Sequence, residues 1–523
     1  MTRSTGNLDR RWWTLIAVCG ATFMLLVDIT IVQVALPTIQ RRLHAGFTDL
    51  QWVIDAYSLS LATLILTWGS TSDRFGRKRV FVAGLTVFTV ASLLCALSTS
   101  PAFLIWARAL QGVGGAAMFA TSLALIGQEF RGVELGKAIA AWSATVGGAV
   151  ALGPLIGGVL TDGLGWRWIF FVNVPIGVAA GWLSLSRMRN IGDPAAKRSD
   201  VAGLLTFSAS MFLLVFALIR GNAEGWTSTM ILSMLGAAAF TMALFVTIER
   251  GQVQPMFDLS LFAKPGFTGV CFATFAIGAG MFAMFPYLTL YLQNDLGFSP
   301  LQGGLRLLPA TLPAFVVPLA IRRIGDRLPA GAVLGSGLAV TAAGLAAMRA
   351  LSATSAWTVL VPGLLLCGLG IGIANPAIAK IALGVVDPRR SGMASGISNT
   401  FRIGGLAAGV AALGAVFERR ITTSLGATLG HSAHLLGPAV ASGGVRAAQA
   451  AAPGRAGTAV AARVAFASGL DLILVIGAVA VVLGALAGFA LVRARDFWRA
   501  EPAAAEAVTA RAAGSLAEVP GLG

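Results

Sequence analysis

The sequence predicts an all-α polytopic membrane protein, and three observations carry that reading. Of 523 residues, 56% are hydrophobic and only 11% are charged, whereas a soluble domain dresses its surface with about 25% charge. The mean hydropathy is +0.81. Apolar runs long enough to cross the hydrocarbon core, about 20 residues at 1.5 Å each, recur along almost the whole chain.

Fourteen such windows follow in order. The first, 12–36, is too long for the apolar stretch of a signal segment and lacks a small-residue cleavage site, so it reads as a retained span. It carries Asp28 inside "FMLLVDITIVQVALPTI". A charge at the bilayer centre costs about 2.5–3.5 kcal/mol on insertion scales, so such a residue is rarely kept without a use. The second window, 51–72, holds Asp55 just inside its first end, in "QWVIDAYSL", and leads into the basic loop "GSTSDRFGRKR" (69–79). After 79–99, the fourth window, 102–126, contains "LIWARALQGVGGAAM" with Arg108. Gln111, Gly112 and Gly115 share its helical face, where small residues let another helix come close. The fifth, 139–160, contains "GGAVALGPLIGGVL". There Gly153, Pro154, Gly157 and Gly158 make a smooth, kink-prone face.

Windows 168–187, 201–219, 230–248, 266–292, 306–321, 330–350, 357–380, 393–417 and 470–492 complete the set. Arg306 lies near one end of the tenth, where a long side chain can snorkel to the interface. Asn375 lies inside the twelfth, and Asn399 and Arg402 inside the thirteenth, with Arg402 near its middle. The stretch 418–469 is rich in Ala, Gly and Ser and reads as a long loop, partly disordered or folded as a short amphipathic piece. The tail 493–523 reads as disordered.

Orientation follows from counting. With the 1–11 segment on the cytoplasmic side, the inner connections hold more than twice the Lys and Arg of the outer ones, as the positive-inside rule requires. Both termini are then expected inside. The net charge of +16 is dispersed in short clusters between windows, which argues against a nucleic-acid partner. Cys19, Cys95, Cys271 and Cys367 fall in four different windows without ligand spacing and read as small core residues. No metal site is expected; His44, His431 and His434 fall in the expected outer loops. No Gly-x-x-x-x-Gly-Lys-Ser/Thr loop is present, so no nucleotide is expected as energy source, and no cofactor.

In this orientation Asp28, Asp55 and Arg108 come to similar depth in the outer half, on three helices. They are expected to form one polar cluster facing a water-filled cavity. One reading is a structural ion pair that fixes helix packing. The other is a protonatable carboxylate with a tunable partner, since desolvation favours the neutral acid and a nearby guanidinium the charged one. A carboxylate that takes a proton on one side and releases it on the other is the core of an antiport cycle. In the loop, Gly69, Asp73, Arg74, Gly76, Arg77 and Lys78 form a second constellation. Asp73 falls at a helix C-terminus, where the macrodipole disfavours an anion. It calls for cationic partners and suggests an ion-paired latch on the cytoplasmic side, against the plainer reading of a topology signal.

Taken together these stretches resemble the major facilitator superfamily, specifically its fourteen-span drug:proton antiporters of the EmrB/QacA kind, over about residues 12–420. "GSTSDRFGRK" is similar to the superfamily's loop motif, with Thr71 where Leu is usual. "ARALQGVGGAA" is similar to its span-four motif, whose Arg, implicated in proton coupling, maps to Arg108. "GPLIGG" resembles the antiporter motif of exporters, with Ala149 at the usual upstream Gly. "VDITIVQVALP" resembles the first-helix motif, so its membrane-embedded acid maps to Asp28, with Gln33 in place of Asn. "WRWIFFVNVPIG" and "YLQNDLGFSPLQGG" are also typical of this branch. The resemblance implies two six-helix bundles, 12–187 and 266–492, related by a pseudo-two-fold axis, with two inserted helices within 201–248. It implies a monomeric multidrug efflux transporter in a bacterial cytoplasmic membrane, not an enzyme. A small hydrophobic drug or antibiotic, whether cationic or neutral, would leave as protons enter. The alternative is a dedicated exporter or importer of a single metabolite on the same fold.

Overall fold

The structure is a computed structural model. It describes residues 10–130, 132–189, 200–252, 255, 257–325, 328–349, 351–352, 354–386, 391–429, 433–451, 457–493 and 496–497. Seventeen α-helices order this part of the chain. The first seven are α1 (Arg10–Leu43), α2 (Phe47–Phe75), α3 (Arg77–Ala96), α4 (Pro101–Glu129), α5 (Gly132–Gly163), α6 (Trp168–Phe171) and α7 (Asn173–Arg187). A hairpin follows, α8 (Val201–Glu224) and α9 (Thr229–Gly251). The second half holds α10 (Pro265–Ala276), α11 (Phe285–Leu290), α12 (Pro300–Gly325), α13 (Ala330–Ala347), α14 (Val361–Gly384), α15 (Ser391–Leu429), α16 (Ala433–Ala451) and α17 (Thr458–Leu491).

Local sequence sets several of the starts. Ser100 accepts the Phe103 N–H at 3.3 Å and Pro101 opens α4; Asp200 accepts the Gly203 N–H at 2.8 Å at the head of α8. Ser228 accepts the Ile231 N–H at 3.3 Å at the head of α9. Each side chain satisfies an N–H that the first helical turn leaves unpaired. Between α2 and α3 the chain turns on Gly76 alone, at φ 98°, a region that a Cβ disfavours.

Among the described residues, eleven helices are long and apolar enough to cross a membrane, or twelve with the bent α5 counted as one span. Outside that set, α2 and α12 run for 29 and 26 residues and carry charges within them, Asp55 and Arg306 among others. The candidate span Pro265–Asp295 is not one regular helix. Between α10 and α11, and again after α11, the backbone widens into π-helical turns at Ile277–Met281 and Tyr291–Asp295.

Each half has its own helix packing, and the hairpin leans on both. Val215 and Ile219 of α8 bury against Leu59 of α2 and against Ala407 and Ala411 of α15. At its base Phe207, Phe245, Phe257, Phe262 and Phe401 pack ring on ring, with centroids 5.2–6.4 Å apart. Its outer face is apolar and exposed, as Leu205, Phe212 and Phe240 show, which suits lipid.

Within 418–469 the described residues take the folded alternative rather than the disordered one. α15 continues to Leu429, α16 occupies Ala433–Ala451 with a kink at Gly444 (φ 57°), and α17 has already begun at Thr458. Ala is the strongest helix former. Leu436, Val440, Ala441, Val445 and Ala448 recur at helical spacing and are buried, so α16 has an apolar stripe to pack with. A window tuned to membrane length passes over such a piece because it is too short and too mixed.

Candidate functional site

Asp28 lies on α1 and is fully buried, at 0% exposure, and Arg108 on α4 is at 2%. The two form an ion pair, Arg108 Nη1 donating to Asp28 Oδ2. The same Nη1 donates to Gln111 Oε1 at 2.6 Å, and Arg108 Nε donates to the Val53 carbonyl of α2 at 3.1 Å. Tyr57, one turn after Val53, lays its ring 4.1 Å from the Arg108 guanidinium carbon. On the carboxylate side, Gln111 Nε2 and Asn173 Nδ2 donate to Asp28 Oδ1 at 2.9 and 3.3 Å. Both also donate to Ser92 Oγ, at 3.2 and 2.9 Å, and Ser92 passes its own proton to the Phe170 carbonyl at 3.1 Å. Six helices of the first half, α1, α2, α3, α4, α6 and α7, thus meet around one buried charge pair.

Buried charges persist only when paired and hydrogen-bonded, and this cluster meets both conditions. It is closed to solvent: Asp28, Tyr57, Ser92, Arg108, Gln111 and Asn173 are all buried. The sequence pointed to Asp28, Arg108 and Gln111. It passed over Tyr57, Ser92 and Asn173, although each is a polar residue in an apolar window and Asn173 lies in "WRWIFFVNVPIG".

Asp55 does not join the pair, which corrects the expected trio. Two residues on a helix turn through about 200°, so Asp55 faces away from both Val53 and Tyr57. It lies buried toward the second half, within electrostatic reach of Tyr287, and neither carboxyl oxygen has a hydrogen-bond partner among the described residues. Gln51, one turn earlier on that face, donates to the Val410 carbonyl of α15 at 3.3 Å, and Tyr287 Oη donates to the same oxygen at 2.5 Å. Matching depth was legible from residue counts; facing was not.

The glycines of α4 and α5 explain why these helices can come so close. A Cβ on Gly112 would sit 2.8 Å from Ser60 Cβ of α2. On α5 the motif looks two ways. A Cβ on Gly153 would strike Thr30 and one on Gly157 would strike Ile31, both on α1; one on Gly158 would stand 2.8 Å from Leu301 Cα on α12. The Pro154 carbonyl meanwhile faces Gly304 of α12. α5 is therefore the seam between the helix that carries Asp28 and the second half.

That seam is closed at the end where α1 finishes. Ser299 Oγ donates to Asp162 at 2.8 Å, Gln293 Nε2 to the Val34 carbonyl at 2.8 Å, and Asn294 Nδ2 to Gln40 at 3.2 Å. Arg41 Nη1 returns a bond to Asn294 at 3.3 Å, and Asn294 Nδ2 also donates to the Ser442 carbonyl of α16 at 2.7 Å. The helix in the presumed loop is thus tied to the junction of the halves.

At the opposite end lies the 69–79 stretch. Ser72 Oγ donates to the Gly69 carbonyl at 2.7 Å, and Gly76 makes the turn. The side chains of Asp73 and Arg74 lie outside the described residues, so the expected latch is not visible. Lys78 Nζ donates to the Leu185 and Met188 carbonyls at 2.8 and 2.9 Å, where a cation suits the end of α7. Arg77 reaches the Ala124 carbonyl of α4 at 3.3 Å. In the second half, Arg402 Nη2 donates to Asn399 Oδ1 at 2.7 Å, one turn away on α15. Asn375, on α14, is half-buried and stands apart from that pair. Arg306 stacks on Phe298 and Trp357, 3.6 and 4.9 Å from the ring centres.

The comparisons agree with this architecture. A family model described as the Major Facilitator Superfamily matches residues 18–410. The chain is 38% identical over 421 residues to the multidrug resistance protein Stp of Mycobacterium tuberculosis, covering 79% of this chain and 77% of that one. It is 35% identical over 431 residues to the tetracenomycin C resistance and export protein of Streptomyces glaucescens, covering 80% and 78%. Among solved structures, a bacterial homologue of the human lysosomal transporter Spinster, inward-facing and unoccupied, superposes with a TM-score of 0.64. That match has 16% identity and covers 95% of this chain and 100% of the other, a likeness of fold. The chain belongs to the major facilitator superfamily: it is a multi-pass membrane transporter, not an enzyme, and its relatives are drug and antibiotic resistance or export proteins.

Proposed function

We propose that this chain exports small hydrophobic, cationic compounds across a bacterial cytoplasmic membrane in exchange for protons, as a fourteen-span transporter of the EmrB/QacA kind. The observation that carries the reading is the buried Asp28–Arg108 pair with its polar clamp. A proton on Asp28 cancels the carboxylate and leaves Arg108 held by Gln111 and the Val53 carbonyl. The links between α1 and α4 then weaken, and α1 is the helix that α5 presses against the second half. Protonation at one residue is in this way coupled to the seam that must open and close. The span number is supported by α2 and α12, which have the length to cross and bring the total to fourteen when added to the twelve apolar crossings. The positive-inside bias supports cytoplasmic termini, and the absence of an ATP-type loop supports the proton gradient as the drive. The monomeric state is part of the same proposal and rests on the resemblance to the antiporter family.

One charge moving across 100 mV releases about 2.3 kcal/mol, and each pH unit adds about 1.4 kcal/mol. One proton therefore sustains a gradient of roughly two to three orders of magnitude for a neutral compound; for a monovalent cation the one-for-one exchange moves no net charge, and each pH unit sustains about tenfold.

The test is efflux of a cationic fluorescent dye from cells with and without an uncoupler, comparing wild type with Asp28→Asn. Uncoupler-sensitive efflux in wild type and its loss in Asp28→Asn support the reading; unchanged efflux in the variant removes Asp28 from coupling. A dedicated exporter of one metabolite is the competing reading, favoured by the relative named for tetracenomycin C. It predicts no efflux of a panel of unrelated dyes.

A further inference from the structure

Away from the Asp28 pair and the seam, a cleft of about 760 Å³ lies on the outer surface of the second half, between the end of α13, α15 and α17. Arg349, Arg420, Ser352, Ser468 and Asp471 give it polar walls. A second hollow of about 500 Å³ continues from it, sharing Arg349 and Val475, and runs down between α13 and α17. Its walls are apolar: Ala339, Ala343 and Ala346 on α13 face Val479, Leu486 and Phe489 on α17.

The packing shows why the hollow exists. At one end the two helices touch: a Cβ on Gly335 would stand 2.6 Å from the Phe489 ring, and one on Gly488 3.3 Å from the Gly335 nitrogen. Beyond that contact α13 presents only alanines, too small to fill the space as far as Arg349. From Phe489 to Val475 the groove follows α17 for about 21 Å, more than the roughly 15 Å of one leaflet's hydrocarbon.

The charges at its head are not spent inside the protein. The Arg349 guanidinium is exposed and makes no hydrogen bond or ion pair among the described residues. Arg420 is also exposed and donates only Nε, to Ser468 Oγ at 2.7 Å. The one carboxylate in the cleft, Asp471, accepts the Leu351 N–H at 3.0 Å through Oδ1. Two guanidiniums against one carboxylate leave a net positive head on an apolar groove, and a guanidinium fork fits phosphate oxygens.

We propose that this site binds an anionic phospholipid, its phosphate between Arg349 and Arg420 and one acyl chain along the α13–α17 groove. In the proposed orientation the lipid belongs to the outer leaflet. A lipid seated there fills the groove on the face of α13 and α17 where alanines leave the two helices apart, beside the contacts at Gly331, Gly335 and Leu338 that hold them together.

The experiment is native mass spectrometry of the full chain in detergent, titrated with dioleoyl phosphatidylglycerol and, separately, with dioleoyl phosphatidylcholine. Wild type is expected to retain phosphatidylglycerol about fivefold more tightly, the weight of one arginine near an anionic headgroup. Arg349→Ala/Arg420→Ala is expected to erase that preference while phosphatidylcholine binding stays as it was. Ala343→Trp, which fills the groove and leaves the arginines, is expected to weaken both lipids. Equal retention of the two lipids by wild type, an undiminished preference in the double arginine variant, or unchanged binding in Ala343→Trp would each overturn the site.

Discussion

Asp55 and Tyr57 stand two residues apart on α2 and serve opposite sides of it. Tyr57 lies against the Arg108 guanidinium, 4.1 Å from ring centre to carbon, while Asp55 turns toward Tyr287 and the second half. One helix thus carries the wall of the buried charge pair on one face and an unpaired carboxyl group in the inter-half seam on the other. This division separates what each acid is expected to do.

Asp28 and Arg108 compensate each other's charge in a buried site. Removing either alone strands the other, which costs about 3–5 kcal/mol for a buried pair. Asp28→Ala and Arg108→Ala are each expected to melt well below wild type when purified in detergent. Asp28→Asn/Arg108→Gln is expected to recover most of that loss yet stay inactive in proton-driven efflux. A double variant less stable than both singles would show that the two charges do not offset one another.

Asp55→Leu is expected to behave differently. It leaves the Arg108 network intact and replaces a buried carboxyl group without hydrogen-bond partners among the described residues by an apolar side chain of similar size, so stability rises by about 1–3 kcal/mol. Thermal unfolding beside Asp28→Asn checks this: a gain for one and a loss for the other is the expected contrast.

Gly157 admits the Ile31 side chain and backbone of α1, with closest approaches of 2.9–3.2 Å to an added Cβ. Gly157→Val overpacks that contact, at a cost of about 1–3 kcal/mol. Gly158→Val instead wedges α5 from Leu301 of α12. The second variant is expected to increase labelling of a cysteine placed at Gln40 by a membrane-impermeant thiol reagent, and the first to leave it near wild type. Equal labelling in both would mean that α5 does not divide its contacts in this way.

Asn294 links Arg41, Gln40 and the Ser442 carbonyl. Asn294→Ala removes all three bonds and leaves a buried acceptor unpaired, at about 1–3 kcal/mol. It is expected to expose α16, read as faster proteolysis or hydrogen exchange over 433–451. Protection equal to wild type would show that α16 is held by its apolar stripe alone.

Lys78→Ala removes a cation from the end of α7. The expected loss is about 0.3–1 kcal/mol, a small shift in melting temperature that Lys78→Arg largely avoids.

Hydropathy and charge placement were enough to establish a helical membrane protein with recurring spans, because each crossing must satisfy its own backbone within its own segment. They were enough, too, to single out Asp28 and Arg108, because a charge in an apolar window is conspicuous whatever surrounds it. The tertiary structure alone decided which charges meet. Facing depends on helix rotation, and a residue's depth is insensitive to the 200° that separates Asp55 from Val53 and Tyr57. It also supplied Ser92 and Asn173, ordinary polar residues until three helices bring them to one carboxylate, and α16, whose alanines carry a helix signal too short for a membrane window. The groove beneath Arg349 is of the same kind: alanines on α13 and arginines on two distant segments become one surface only when α17 packs beside them.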